Sequence, residues 1–512
     1  MKIVHKSRTW LWVVAALLMI GIGFLLWLLV PGFRTGLTED VPVSSPAPTS
    51  VEEYYPTDGW RTSKPEEQGF DSVKLALGVE TLQKDNLDSL LIIRNGYVIL
   101  DATYYPYDGT FIHDLASVTK SVTTTLIGIA AGQGKLQLDQ PMVSYFPERT
   151  IANLDDRKQN ITVRNLAGMV NGMQSGCLAA DEPTLTAMRS HPDWIQAALD
   201  RPMLNPPGKV FCYDSPGMHI LSAILTQTTG MTEQEFAQQY LFDPLGIKDF
   251  YWGIDPQGYN HGWGDLWLKP HDAARIGYLF LHHGAWDGQQ VVPEAWVSEA
   301  VKSHVGTGQG SDYGYGWWVS DDSYYAMGRG GQNIKVYPAF NVIVVTTGSY
   351  FSYTTLDPIL KEAFVDPNHP LPANPDGMAQ LESVLSEIKQ GQELQPASYL
   401  PEIATIISGK TYQCSPNKVG ITSLRFEFND LQVMKLFMEQ NEQKVEWNVG
   451  LDGNYRPGLD GLIRGYWESD SKFILQQFDI GTRIREINFD KEQLELLIPE
   501  MKITLKCQIQ YP

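Results

Sequence analysis

A serine three residues before a lysine places a hydroxyl and an amine on one face of a helix, because positions i and i+3 are neighbours there. Such a pair can make a nucleophile. The amine shares or takes the hydroxyl proton, and a lysine amine becomes a better base when it is desolvated. The 512-residue chain contains Ser-x-x-Lys four times, at Ser117/Lys120, Ser386/Lys389, Ser415/Lys418 and Ser469/Lys472. Context separates them. Ser386 falls in an expected exposed bridging helix, Ser415 in a turn before Pro416, and Ser469 in the turn "ESDSK". Ser117 leads into a long apolar run, Val118, Val122, Leu126, Ile127, Ile129 and Ala130, which reads as a helix covered on most sides. In the first turn of such a helix the unpaired amides and the positive dipole end favour an oxyanion. A serine cap beside a solvated lysine is the plainer alternative on these residues alone.

The elements that must position this pair follow from patterning. "SLLIIRNGYVIL" is two β-branched runs around Asn95-Gly96, a strong hairpin signal. "GMHILSAILTQTTG" and "KPHDAARIGYLFLHHG" read as helices. "SYYAMGRGGQNIKVYPAFNVIVVTTG" reads as three strands around a Gly-rich and a Pro turn, and "SYTTLDPILKEAF" as a closing helix. Strands, then helices, then strands predict an α/β chain of the α+β type, whose antiparallel sheet is completed by both ends of the domain and flanked by helices. "VDPNHPLPANPDG" reads as a linker and "MAQLESVLSEIKQGQ" as a short bridging helix. After about Pro401, alternating runs such as "LRFEFND" and "MKITLKCQI" predict an all-β meander or small barrel.

The net charge of −20 argues against a nucleic-acid binder and against docking on an anionic membrane by charge. "WLWVVAALLMIGIGFLLWLLV" is nevertheless uncharged from Trp10 to Val30, long enough to span roughly 30 Å of hydrocarbon as a helix. Lys2, Lys6 and Arg8 precede it, so the expectation is a single-pass anchor with the N-terminus cytoplasmic and the body extracytoplasmic. Its length favours an anchor over a cleaved signal peptide. The boundaries read as a cytoplasmic tail (1–9), an anchor (10–30), a flexible linker (31–58), a main domain (59–365), a linker with bridging helix (366–400) and a β-domain (401–512). The positions of the four cysteines suggest Cys177 with Cys212 and Cys414 with Cys507, with free buried thiols as the alternative.

"HDLASVTKSVTTTLIGIAAGQGKLQLDQPMVSYFPE" resembles the nucleophile region of the serine β-lactamase and penicillin-recognising superfamily. It is most similar to the class C-like branch of esterases, amidases and 6-aminohexanoate-dimer hydrolases. "ITVRNLAGMVNGM", "PPGKVFCYDSPGMHILSAILTQTTG" and "GRGGQNIKVYPAFNVIVVTTG" continue the likeness in the expected order from about Trp60 to Phe364. The resemblance implies a sheet with a helical subdomain. It also implies that Ser117 attacks an acyl carbon, that Lys120 and Tyr213 are its base pair, and that no metal or cofactor takes part. Ser215 stands where the family has Asn, and its hydroxyl would bond Lys120 or a substrate carbonyl. Gly328-Arg329-Gly330 stands where the family has Lys-Thr-Gly or His-x-Gly. An amide near Gly330 or Gly331, with that of Ser117, would form the oxyanion hole. The missing Lys or His disfavours β-lactams, whose carboxylate that residue helps hold, although Arg329 is a candidate substitute.

The expected partner is therefore a small ester or amide. A catalytically retired relative that binds cell-wall peptide or a β-lactam is the second class. His282-His283 diverge on a helix and read as a surface pair, and His113 and His271 as structural. Trp252, Trp263 and Trp267 read as core, with an acyl pocket as the alternative. The sequence assigns no oligomeric state.

Overall fold

Asn95 and Gly96 close a two-residue hairpin between strands Leu87–Arg94 and Tyr97–Thr103. Both have positive φ, 52° and 79°, the mirror-image turn whose twist suits paired strands. The computed structural model of the chain describes residues 54–177, 182–349, 351–390, 399–440, 443–458 and 461–510. The hairpin lies inside a nine-stranded sheet. Leu87–Arg94 pairs antiparallel with Val342–Gly348, which is followed by Gln332–Tyr337 and Tyr324–Gly328. Strands from both ends of the domain thus meet in the middle of one sheet, as the strand–helix–strand order predicts.

The sheet is covered on both faces, so its central strands Leu87–Arg94 and Val342–Gly348 are buried along their whole length. In Leu87–Arg94 every residue is buried, and successive side chains enter opposite cores. Leu90 and Ile92 join one cluster, with Leu75 and Val79 of helix Ser72–Leu82. Leu91 and Ile93 join the other, with Val122 and Leu126 of helix Thr119–Gly132, Leu221 of helix Ser215–Thr229 and Ile276 of helix Pro270–Leu281. The segment expected as an exposed bridging helix forms Pro375–Ile388. It buries Leu381, Val384 and Ile388 with the Ser72–Leu82 helix, so this stretch of the expected linker is part of the main domain's covering layer.

Strands from Thr411–Cys414 to Ile503–Ile509 form the second body. Nine of them close into a barrel through the pairing of Gly450 with Arg464, and the short strand Arg456–Gly458 pairs outside the ring. Alternate residues such as Leu424, Phe426 and Phe428 fill its interior. The barrel docks on the loop that leads to Ser117. Arg464 Nη1 donates to the Tyr105 hydroxyl, and its guanidinium lies 4.3 Å from the Tyr455 ring centroid. Tyr107 shares a small apolar cluster with Leu462 and Phe478.

The expected flexible linker is too long at its C-terminal end. The Tyr55 ring packs against Tyr278 and Trp286, and Arg275 Nε donates to Pro56 O at 2.8 Å. The chain is therefore bound to the main domain before Gly59. The Trp10–Val30 segment lies outside the described residues, and among the described residues no helix is long and apolar enough to cross a membrane.

Candidate active site

Ser117 sits in a 3-10 turn, Ala116–Val118, that runs directly into the buried helix Thr119–Gly132. The turn is pinned at every step. Leu115 N–H donates to Leu266 O at 2.9 Å, and Val118 N–H to Leu115 O at 3.1 Å. The Thr119 hydroxyl donates to Ala116 O at 2.6 Å. Ala116 has φ of 47°, a left-handed conformation that a residue with a Cβ adopts only under constraint. The Asp114 carboxylate supplies part of that constraint by accepting the Ala116 N–H at 2.8 Å.

One helical turn on, Lys120 is 1% exposed. Its Nζ donates to Ser117 Oγ and to Trp263 O, both at 2.8 Å. The carbonyl aims the amine at the serine, a role of backbone that no side-chain motif announces. Trp263 is itself held in a stack, 4.5 Å from the His261 ring, which lies 5.2 Å from Trp194. The Tyr213 ring centroid lies 4.7 Å from the Lys120 amine, so serine, lysine and tyrosine converge.

Tyr213 is fixed from several sides. Its ring stacks on Trp318 at 6.1 Å, and its carbonyl accepts from Ser175 Oγ at 2.5 Å. Cys212, immediately before it, is disulfide-bonded to Cys177. Cys414 and Cys507 form the second disulfide, across neighbouring barrel strands. The next residue, Asp214, is buried in an ion pair with Arg201 at 2.5 Å and accepts from Asn171 Nδ2 at 2.8 Å. Asn171 belongs to the stretch "MVNG". The Asn171 hydrogen bond therefore ties that stretch to the tyrosine loop.

Two expectations change. Ser215 is the first residue of helix Ser215–Thr229 and is fully buried, but its Oγ has no hydrogen-bond partner among the described residues. It does not bond Lys120. The Gly-rich stretch also shifts in register. Gly328 pairs with Gln332, which leaves Arg329, Gly330 and Gly331 in the hairpin loop. Gly328 is the glycine against the nucleophile turn. A Cβ there would lie 2.4 Å from Leu115 O and 3.1 Å from Ser117 N. Gly330 and Gly331 have positive φ, and their side-chain space is filled by Ile480 of the barrel and by Phe351. Arg329 is exposed. Gly328→Ala should therefore close the space beside the Ser117 amide. The expected result is a fall in acylation rate of about 10²-fold with a stability loss of about 1–3 kcal/mol, read by labelling kinetics and thermal melting.

The remaining candidates are structural. His113 is buried against Asp88 at 3.0 Å, His271 pairs with Asp101, and the His282 ring packs on Tyr278 and Tyr55. Trp252 and Trp267 are buried. Among the described residues no group of three or more His, Cys, Asp or Glu could hold a metal.

Residues 86–365 match the family described as Beta-lactamase. The chain belongs to the beta-lactamase family. It is a serine hydrolase of that family's fold. It is 23% identical over 296 residues to a 6-aminohexanoate-dimer hydrolase from Paenarthrobacter ureafaciens, covering 53% of this chain and 74% of that one. A lovastatin esterase from Penicillium rubens is 28% identical over 155 residues, 26% of this chain and 38% of the esterase. Among solved structures, a candidate 6-aminohexanoate-dimer hydrolase from Bacillus anthracis superposes with a TM-score of 0.52 at 18% identity, covering 63% of this chain and 91% of that one. That superposition is a likeness of fold. The matched region ends before the barrel.

Proposed function

We propose that this chain hydrolyses small esters or amides through a covalent acyl-enzyme on Ser117. One observation carries the reading: a buried lysine amine is shared between Ser117 Oγ and a backbone carbonyl, beside the Tyr213 ring. Ser117 Oγ attacks the acyl carbon and passes its proton to the Lys120/Tyr213 pair. The negative oxygen that forms on the substrate is held by the Ser117 N–H and by the N–H of Arg329, the first residue beyond Gly328. Collapse breaks the bond to the alcohol or amine, which leaves with a proton returned by the same pair. Water, deprotonated by that pair, then attacks the acyl carbon and releases the acid and free Ser117.

Esters and amides fit better than β-lactams. The charge at the third motif belongs to exposed Arg329, and Asp114 and Asp265 both act on it electrostatically. An exposed guanidinium in the field of two carboxylates offers a substrate carboxylate little net attraction. The apolar segment Trp10–Val30 and its preceding basic residues support an anchor that leaves the hydrolase outside the cytoplasm, where two disulfides are at home. The test is a substrate panel on the full-length chain. p-Nitrophenyl acetate and butyrate should turn over at least about 10²-fold faster in kcat/KM than nitrocefin, a gap of about 3 kcal/mol in transition-state binding. A fluorophosphonate should label Ser117. Preference for nitrocefin would overturn the ester reading, and an unlabelled Ser117 would point to a retired binding site.

A further inference from the structure

Asp114 is not among the residues that touch the serine, yet three elements meet at it. It lies on the short strand His113–Asp114, whose partner is Leu266–Leu268, and it is 8% exposed. Its Oδ1 accepts the N–H of Ala116, the residue held in the left-handed region immediately before Ser117. Gly328 packs on Leu115 O and Ser117 N, which brings the next residue, Arg329, beside the same turn. From the barrel, Phe478 and Asp479 line a crevice with Asp114 and Trp267.

We propose that Asp114 is a positioning residue for acyl transfer: its carboxylate fixes the turn that presents Ser117 against Gly328, the residue before the Arg329 amide that completes the oxyanion hole. This rests on the hydrolase reading above. The logic is geometric. Two amides must face one oxygen for the hole to work, and they come from segments more than two hundred residues apart. One amide is set by the Ala116 conformation and the other by the hairpin end. The Asp114 carboxylate sets the first through its hydrogen bond to the Ala116 N–H, and the contact of Gly328 with the same turn carries that placement to the hairpin end.

The charge on that carboxylate responds to pH. Burial pushes the Asp114 carboxyl up to about 6, and the nearby Asp265 charge adds to this; the Ala116 N–H, His113 and Arg329 oppose it. The groups facing it are His113 on its own strand, Asp265 in the opposite loop, Arg329 on the hairpin and Asp479 on the barrel. His113 is already engaged by Asp88. Above about pH 6 Asp114 is charged and its bond to the Ala116 N–H is charge-assisted; as pH falls through that value the carboxyl takes a proton and that assistance is lost.

The experiment compares pH profiles of kcat/KM for p-nitrophenyl butyrate in the full-length wild type and in Asp114→Asn and Asp114→Ala, with fluorophosphonate labelling and a thermal melt of each. The wild type should show an acid limb near pH 6. Asp114→Asn keeps an acceptor for Ala116 but not the charge. It should lose that limb and run on a flat plateau about tenfold lower in kcat, with KM changed less than about threefold. Asp114→Ala loses both the charge and the acceptor for the Ala116 N–H and should fall about a further tenfold and label more slowly. If Asp114→Asn keeps the limb or the wild-type plateau while the wild type labels at Ser117, the proposal is wrong and the hydrolase reading stands. If the wild type neither labels nor turns over esters, the hydrolase reading fails and the proposal fails with it.

Discussion

Ser117→Ala should abolish ester turnover, by at least about 10³-fold in kcat, and leave the fold intact. The two halves of this expectation rest on different contacts. Chemistry needs Oγ, because no other hydroxyl is shown donating to or accepting from the Lys120 amine. The turn does not need it. Leu115, Ala116, Val118 and Thr119 are held by bonds that bypass the Ser117 side chain, and Lys120 keeps Trp263 O. The lost hydrogen bond is part-buried and worth about 1–2 kcal/mol, so the melting temperature should move by only a few degrees. Ser386→Ala and Ser469→Ala are the internal controls. Ser386 lies in helix Pro375–Ile388, and Lys472 beside Ser469 is neutralised by Glu468 and Glu486. Both variants should keep wild-type rates. Wild-type turnover in Ser117→Ala would place the nucleophile elsewhere.

What the sequence revealed of this site, and what it hid, follows from where the information lies. The nucleophile helix was legible because an unbroken apolar run must be buried on most sides, and the Asn95-Gly96 hairpin because its turn chemistry is local. The carbonyl of Trp263 was not legible. It meets Lys120 across 143 residues, and a backbone oxygen leaves no trace in residue identity. The third motif was located but misregistered. Gly328, Gly330 and Gly331 are alike in sequence, and pairing of Gly328 with Gln332 decides which one faces Ser117. The helix Pro375–Ile388 carried a signal that was available. Leu381, Val384 and Ile388 follow helical spacing and form the stripe that packs on Ser72–Leu82. Nothing in the sequence singles out Asp114. Its importance comes from Ala116 taking a positive φ, which no alanine advertises.

Lys120→Met separates a functional lysine from a structural one, because the two roles predict opposite effects on stability. Lys120 is among the largest fully buried side chains, and no carboxylate lies within ion-pair distance of it among the described residues. Its amine has exchanged water for one hydroxyl and one carbonyl. Burying such a group is costly unless it is well compensated. Methionine fills a similar volume with an unbranched chain, so the substitution removes the desolvation cost and opens little space. Trp263 O loses a donor, which offsets part of the gain. The expected balance lies between neutral and about 2 kcal/mol of stabilisation, read as an unchanged or higher melting temperature. Activity should move the other way. Without the amine, Ser117 loses its proton acceptor and Tyr213 its neighbouring base, for a loss of about 10²–10⁴-fold in kcat. A lysine retained only to hold the fold would give destabilisation with activity falling in proportion to the folded fraction. A variant that melts higher and hydrolyses nothing would show that the fold tolerates this amine at a cost in stability, for the sake of the reaction at Ser117.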